Sequence, residues 1–104
     1  MINIVTAFEN KVSAKKVGQS LLKERLVACV NMMPIGSLFW WKEEIVETDE
    51  VFLLCKTVDG NFTKVKEFIE ERHEYEVPLI EAWKVDHLNK SYERFVEEET
   101  RRIK

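Results

Sequence analysis

The feature that most constrains this chain is a set of strand-like segments that are apolar on both faces. In "SLFWW" (residues 37–41), Phe39 and Trp41 would share one face of an extended strand, and Leu38 and Trp40 the other. Segments 51–57 and 76–85 also carry apolar residues on both faces near their middle. One small domain has one core, so a single layer of helices cannot cover both faces of the sheet that these strands would form.

The order of the predicted elements is β-α-β-β-α-β followed by a last helix. Strands are predicted at 2–8, 27–41, 44–57 and 76–85, with a tight turn at 42–43 and a bulge or bend at Pro34 and Gly36. Helices are predicted at 11–25, at 60–73 and after a cap at Asn89 or Ser91, the last with an apolar stripe of Tyr92, Phe95, Val96 and Ile103. This order predicts an α+β, ferredoxin-like antiparallel sheet in a single domain, residues 1–104. Two helices should lie on one face, and the second and fourth strands at the sheet edges.

The second apolar face favours association with other copies of the chain. The C-terminal helix could cover that face alone, but it is one short element and the doubly apolar region spans three strands. Full burial of a Trp or Leu side chain stabilises by about 2–3 kcal/mol, and an exposed patch of such residues favours binding between chains. We therefore predict a closed oligomer, with one of Trp40 and Trp41 packed inside the subunit and the other at a subunit boundary.

Composition excludes several classes of function. The 104 residues include 16 basic and 19 acidic side chains, a net charge of −3. We expect no basic stripe on any segment and no nucleic-acid partner. No apolar run approaches the roughly 18 residues that a membrane-spanning helix needs. The start "MINIVTAFEN" lacks the pattern of a signal peptide, so the sequence predicts a cytoplasmic protein with reduced cysteines.

Four blocks of sequence closely resemble the CutA family of divalent-cation tolerance proteins. They are "LLKERLVACVN" (21–31), "SLFWWKEEI" (37–45), "VFLLCKT" (51–57) and "RHEYEVP" (72–78). The resemblance implies a ferredoxin-like fold, and a compact homotrimer with paired sheet edges that is similar to the trimer of the PII signalling proteins. It also implies a role in tolerance of copper and other divalent ions. Family members usually have His-Pro-Tyr where this chain has His73-Glu74-Tyr75. Some have a Cys and a second His where it has Val5 and Arg72.

Candidate metal ligands are His73, Cys29 and Cys55. Soft ions such as Cu(I) favour thiolate, thioether and imidazole ligands. A two-residue turn at 42–43 would bring the two cysteines near each other across the hairpin, although the favoured interpretation of both is as small buried apolar residues. His73 ends the second helix, where it could bond the last carbonyls or bind a ligand at a subunit boundary. We expect at most weak binding of copper or another divalent cation, with His73 as the first ligand.

A cleft between subunits is the other candidate site. If the second strand of one subunit pairs with the fourth strand of the next, Trp40 or Trp41 would pack near Tyr75 and Pro78 of the neighbour, with Lys56 and His73 flanking the cleft. A cation and a phenol there could hold a small anion. Lys56 in a cross-strand ion pair and Tyr75 as an interface aromatic are the structural alternatives.

No catalytic pattern is present, so the sequence does not predict an enzyme. The chain has no Ser-His-Asp order, no phosphate-binding glycine loop and no carboxylate pair in an apolar setting. The loop "ENKVS" after the first strand lacks the Arg of small phosphatases with a related fold. Two functions remain open: a trimeric metal-tolerance protein, or a trimeric PII-like regulator or scaffold that binds a small metabolite or a partner protein.

Overall fold

The computed structural model describes residues 1–102, which form one four-stranded antiparallel sheet with three α-helices. The elements are β1 (Ile2–Phe8), α1 (Lys11–Lys23), β2 (Cys29–Trp41), β3 (Glu44–Thr57), α2 (Phe62–Arg72), β4 (Ile80–Lys84) and α3 (Lys90–Arg101). The strand order is β2-β3-β1-β4, so β2 and β4 are the edges. The predicted α+β, ferredoxin-like architecture is confirmed. Ile103, predicted in the stripe of the last helix, lies outside the described residues.

The core lies between the sheet and the helices α1 and α2, on what we name the helix face. Ile4, Leu53 and Cys55 are fully buried there beneath the apolar residues of the two helices. At Gly18 in α1, an added Cβ would lie 3.2 Å from both Leu53 Cδ1 and Val30 Cγ2. Glycine therefore lets α1 approach the sheet closely, which seals this face.

The opposite face, named the open face, is only partly covered. α3 packs against β3, with Val96 fully buried, and Arg25 pairs with Glu99 of this helix at 2.7 Å. Farther along β2, Phe39 and Trp41 remain 40% and 38% exposed. The C-terminal helix therefore does not cover the second face alone. Within residues 1–102, no helix is long and apolar enough to cross a membrane.

The β2–β3 hairpin extends far beyond the rest of the sheet. β1 pairs with β3 only as far as Phe8↔Val51, whereas β2 and β3 stay paired to Trp41↔Glu44. We name residues 35–50 the hairpin arm; its β3 strand is about 20 Å long at roughly 3.4 Å per residue. The molecule is accordingly elongated, 45 Å by 28 Å by 21 Å.

The arm is built around the predicted two-residue turn. Lys42 and Glu43 both have positive φ angles, 49° and 69°, as a turn that follows the twist of the two strands requires. The register is continuous through Pro34↔Val51 and Gly36↔Asp49, so the predicted bulge is wrong. Because β2 is an edge strand, a proline without an N–H fits there without interrupting the ladder.

Four elements differ in their boundaries from the predictions: α2, predicted at 60–73, runs from Phe62 to Arg72, and the other three are α1, β2 and β4. Helix α1 ends at Lys23 rather than 25, because Arg25 adopts a φ of 60° and Leu26 N–H closes back onto the Leu21 carbonyl at 3.1 Å. β2 begins at Cys29 rather than 27. β4 begins at Ile80 rather than 76, and Pro78, which has no N–H to donate, precedes it. The carbonyl of Ala7, which a longer β4 would have approached, is bonded by the His73 ring.

Candidate functional site

His73 follows the end of α2 and is bonded to β1. The ring lies flat on Phe8, with the ring centroids 4.3 Å apart. Nε2 donates to the Ala7 carbonyl at 2.7 Å, and Nδ1 accepts from the backbone N–H of Tyr75 at 3.1 Å. A carbonyl only accepts and an amide N–H only donates, which assigns the neutral tautomer with its proton on Nε2. Both nitrogens are therefore engaged in binding backbone.

The pKa of His73 agrees with this neutral tautomer. Burial lowers the pKa of the ring from 6.5, against the smaller opposing effects of the Ala7 carbonyl and the carboxylates of Glu74 and Glu50. Nδ1 carries the only lone pair that a metal ion could use. An ion would reach it only by displacing the Tyr75 N–H, so this arrangement does not offer a ready ligand.

Tyr75 joins the same segment to the root of the hairpin arm. Its hydroxyl donates to Glu50 Oε2 at 2.7 Å, and Glu50 is 8% exposed. Burial, and then the hydrogen bond to Glu50, raise the pKa of the Tyr75 phenol, so it stays a proton donor at neutral pH. Glu50 directly precedes Val51, the last β3 residue paired with β1. Residues 73–75 therefore tie the end of β1 to the point where the arm leaves the sheet.

A cleft of about 230 Å³ lies beside this segment, between α1 and residues 72–75. Its charged lining consists of two cations and two carboxylates: Lys16, Arg72, Glu9 and Glu74. His73 and Tyr75 both line this cleft, which lies within one chain and is not the predicted cleft between subunits. Lys56, Trp40, Trp41 and Pro78, which were predicted to share it, do not line this cleft.

Those four residues lie elsewhere in the fold. Lys56 pairs with Asn3 of β1, about 13 Å along that strand from Ala7 at roughly 3.4 Å per residue. Its Nζ contacts Asn3 Oδ1 at 3.5 Å, an amide rather than the predicted cross-strand carboxylate. Trp40 and Trp41 are at the far end of the arm, and Pro78 lies between residues 73–75 and β4. Contact between the tryptophans and Tyr75, as predicted, would require a second chain.

The two cysteines do not converge. The register places Cys29 opposite Lys56 and Cys55 opposite Val30, so the thiols point to opposite faces of the sheet. The two cysteines were expected to lie near each other across the hairpin, but the observed register differs from that expectation by one residue. Burial raises the pKa of Cys55 to about 12, so this thiol is protonated at neutral pH, and a metal ion would have to displace its proton.

The fit to a metal ion is therefore poor. Within residues 1–102, no three His, Cys, Asp or Glu side chains lie close enough together to hold one. His73 stands near Glu50 and Glu74, but its free electron pair is taken. The side chains of residues 1–102 do not make a metal centre within one chain.

Sequence reasoning missed Glu50. This carboxylate looks like a solvent-facing charge in "ETDEV", yet it is buried and accepts the phenol proton. One signal was available: Glu50 directly precedes the apolar run 51–55, where the strand enters the body of the sheet. Its partner, 25 residues away, could not be read from spacing.

The comparisons with known proteins agree in one family. The family model described as "CutA1 divalent ion tolerance protein" matches residues 2–99. A divalent-cation tolerance protein CutA from Pyrococcus horikoshii is 40% identical over 102 residues, which cover 98% of this chain and 100% of that protein. One from Thermotoga maritima is 35% identical, over 94% of this chain and 97% of that protein.

The solved structures agree in fold. The crystal structure of CutA1 from Pyrococcus horikoshii superposes with a TM-score of 0.94 at 39% identity, covering 98% of this chain and 100% of that one. The long hairpin and the C-terminal helix therefore belong to a shared architecture.

Proposed function

The chain belongs to the CutA1 divalent ion tolerance family, and we propose that it acts in tolerance of divalent metal ions, copper among them, as a homotrimer. The observation that carries this proposal is the match of the family model over residues 2–99. It is supported by relatives at 35–40% identity that are named for the same role and cover nearly the whole chain.

The uncovered hairpin arm supports the trimer. Leu38 and Trp40 are 70% and 71% exposed on one face of the arm, with Phe39 and Trp41 on the other. β2 and β4 also leave unpaired backbone groups along the two edges of the sheet. A head-to-tail contact between an edge β2 and the β4 of the next subunit closes a ring of three when the rotation is 120°.

The metal part of the proposal is weak binding. Because no subunit gathers a ligand set, an ion would bind loosely, with His73 as first ligand at the cost of its bond from Tyr75. Cys29, which is partly exposed, is a second candidate. We propose no catalysed reaction, and a binding role is enough to account for the family's name.

The first experiment measures mass and metal binding on the purified chain. Light scattering should give three times the 12.4 kDa chain mass. Titration with Cu(I), Cu(II) and Zn(II) under reducing conditions should show binding too weak to be stoichiometric at micromolar protein. A single-chain mass contradicts the trimer, and tight copper binding that survives His73→Ala contradicts the ligand assignment.

A growth assay tests the role itself. A strain lacking its own family member should grow poorly in excess copper, and this chain should restore growth. Expression of the Trp40→Glu variant is the control, because it removes the proposed assembly surface while leaving His73 in place. If growth is the same with and without the chain at every metal concentration, the tolerance role is contradicted.

One observation supports the alternative of a small-molecule regulator. The cleft between α1 and residues 72–75 has two cations, two carboxylates and a volume suited to a ligand of a few heavy atoms. A thermal-shift screen of small zwitterions, repeated on Arg72→Gln, tests this alternative. A shift that Arg72→Gln leaves unchanged places the ligand elsewhere.

A further inference from the structure

The solvent-facing side of α1 is strongly basic. Helix α1 contains four lysines and no Asp or Glu, and the four lysines are exposed: Lys11, Lys15, Lys16 and Lys23. Its buried side is Ala14, Val17, Gly18 and Leu21. At 3.6 residues per turn the lysines fall within an arc of about 140° on the side away from the core. We name these four residues the lysine face; the expectation that no basic stripe exists is wrong at this helix.

The lysine face has no acidic partners in the described part of the chain. Some of the other cations are paired there: Lys66 with Glu70, Lys84 with Asp59 and Arg25 with Glu99. None of the four lysines takes part in an ion pair within residues 1–102. The chain as a whole carries a charge of −3, and its acidic side chains lie outside α1, among them Glu43, Glu44, Glu47 and Asp49 of the arm.

Lys11 and Lys15 do not help α1 to fold, whereas Lys23 lies in the last turn, where the helix dipole favours cations. Lys11 occupies the first turn, where the helix dipole favours acids, and that turn has none. Lys11 and Lys15 are four residues apart, a spacing at which like charges repel. A surface that breaks local rules with no gain in packing is more often kept for binding than for stability.

We propose that the lysine face docks an acidic segment of a partner protein. Carboxylates spaced along such a segment would meet Lys11, Lys15 and Lys23 along one side of the helix. The lysine face belongs to the helix layer, apart from the arm and from the sheet edges, so assembly through those edges leaves it accessible. The proposal thus stands whether or not the chain forms trimers.

A protein segment fits this surface better than nucleic acid or membrane does. The face has no arginine and no aromatic side chain to pair with phosphates or to stack on bases. A long duplex would also meet the acids of the rest of the chain, which repel it. Insertion into a membrane needs apolar side chains, and apart from Val12 those of α1 face the core.

The test compares two variants of equal charge. In the first, Lys11, Lys15 and Lys23 are changed to Gln. In the control, Lys64, Lys90 and Arg94 are changed to Gln; these cations are exposed in α2 and α3 and also lack an ion pair in the described structure. The probe is a labelled helical peptide whose glutamates are spaced four residues apart, and binding is followed by fluorescence anisotropy at several salt concentrations. Circular dichroism checks that both variants fold.

We expect the peptide to bind the unaltered chain at low salt. Its affinity for the first variant should be lower by about fivefold or more, and its affinity for the control should stay within about twofold of that for the unaltered chain. Equal losses of affinity in the two variants would mean that net charge alone determines peptide binding, and would overturn the proposal. So would the absence of binding at low salt. A short DNA duplex, or vesicles containing phosphatidylserine, that bind the lysine face more tightly than the peptide would overturn the choice of a protein partner.

Discussion

The two halves of the β2–β3 hairpin both carry apolar residues, in opposite surroundings. In the half that pairs with β1, Leu53 and Cys55 are fully buried on the helix face. In the arm, Leu38 and Trp40 belong to the same side of the same hairpin and are 70% and 71% exposed. The difference arises because β1 ends at Phe8, opposite Val51, so the arm has no third strand beside it.

Two separate properties decide how an apolar strand is buried: its sequence pattern and its position in the topology. Alternation and side-chain type indicate that residues will be buried, whereas topology decides which element does the burying. The body of the sheet is buried by its own helices. The arm is a two-stranded hairpin, which is marginal in water without further contacts, so its apolar residues require something from outside the chain.

The largest contrast is expected from matched leucines. Leu53→Ala should lower the free energy of unfolding by about 3 kcal/mol, because it leaves a cavity in a packed core under Gly18. Leu38→Ala should cost less than about 1 kcal/mol in dilute samples, where the arm is free. Urea titrations at two chain concentrations measure both. If the two substitutions lower the free energy of unfolding equally at high dilution, the claimed difference in burial between the two halves of the hairpin is contradicted.

A charged residue at the tip of the arm should dissociate the oligomer without unfolding the part of the sheet that pairs with β1. We expect Trp40→Glu to remove contacts worth about 2–3 kcal/mol at each boundary and so to give single chains by light scattering. The far-UV circular dichroism spectrum should persist. Val12→Glu is the control, since Val12 is 78% exposed on α1, away from the arm. An unchanged mass for Trp40→Glu means that the arm is not the assembly surface.

Most of the fold could be predicted from the sequence, and the reason is local. β3 (Glu44–Thr57) and the turn at Lys42 and Glu43 follow from alternation, and the start of α1 follows from Asn10, whose side chain accepts from Ser13 N–H at 2.9 Å. One boundary that was wrong, the start of β4, depends on a contact between distant residues. The late start of β4 reflects the His73 ring on the Ala7 carbonyl, 66 residues away in sequence.

The candidate site could be predicted only in part, because it depends on register. His73 and Tyr75 do line a cleft, but a shift of one residue placed Cys29 opposite Lys56 and separated the two thiols. The position of Glu50 before an apolar run indicates its burial, but its bond to Tyr75 follows from no local pattern. Spacing alone identifies residues that share a face, while distance across the fold has to be measured.

The bond at the root of the arm should have an intermediate effect. Tyr75→Phe removes the only described hydrogen bond to a buried carboxylate and should cost about 1–2 kcal/mol in unfolding. Hydrogen exchange should rise at residues 44–50 more than in β1, because this bond fastens the arm to the sheet. Tyr92→Phe, on α3, is the matched control and should leave exchange in the arm unchanged. Faster exchange in β1 alone would contradict the role of Tyr75 at the arm.

The smallest expected effect is a dependence on pH that originates in the body. Burial lowers the pKa of His73 below 6.5, so the unfolded chain binds this proton more readily than the folded chain. The stability due to the neutral ring is therefore fully present above about pH 6.5 and is lost as the pH falls toward the folded pKa. A proton on Nδ1 would also break the bond from Tyr75 N–H and so loosen the segment that holds the arm. Between pH 7.5 and 5.5, the thermal unfolding temperature should fall with the pH in the unaltered chain and in His87→Asn. It should fall less in His73→Asn. If His73→Asn keeps the full slope, the proton is taken up elsewhere, and the segment at residues 73–75 does not couple the body to the arm.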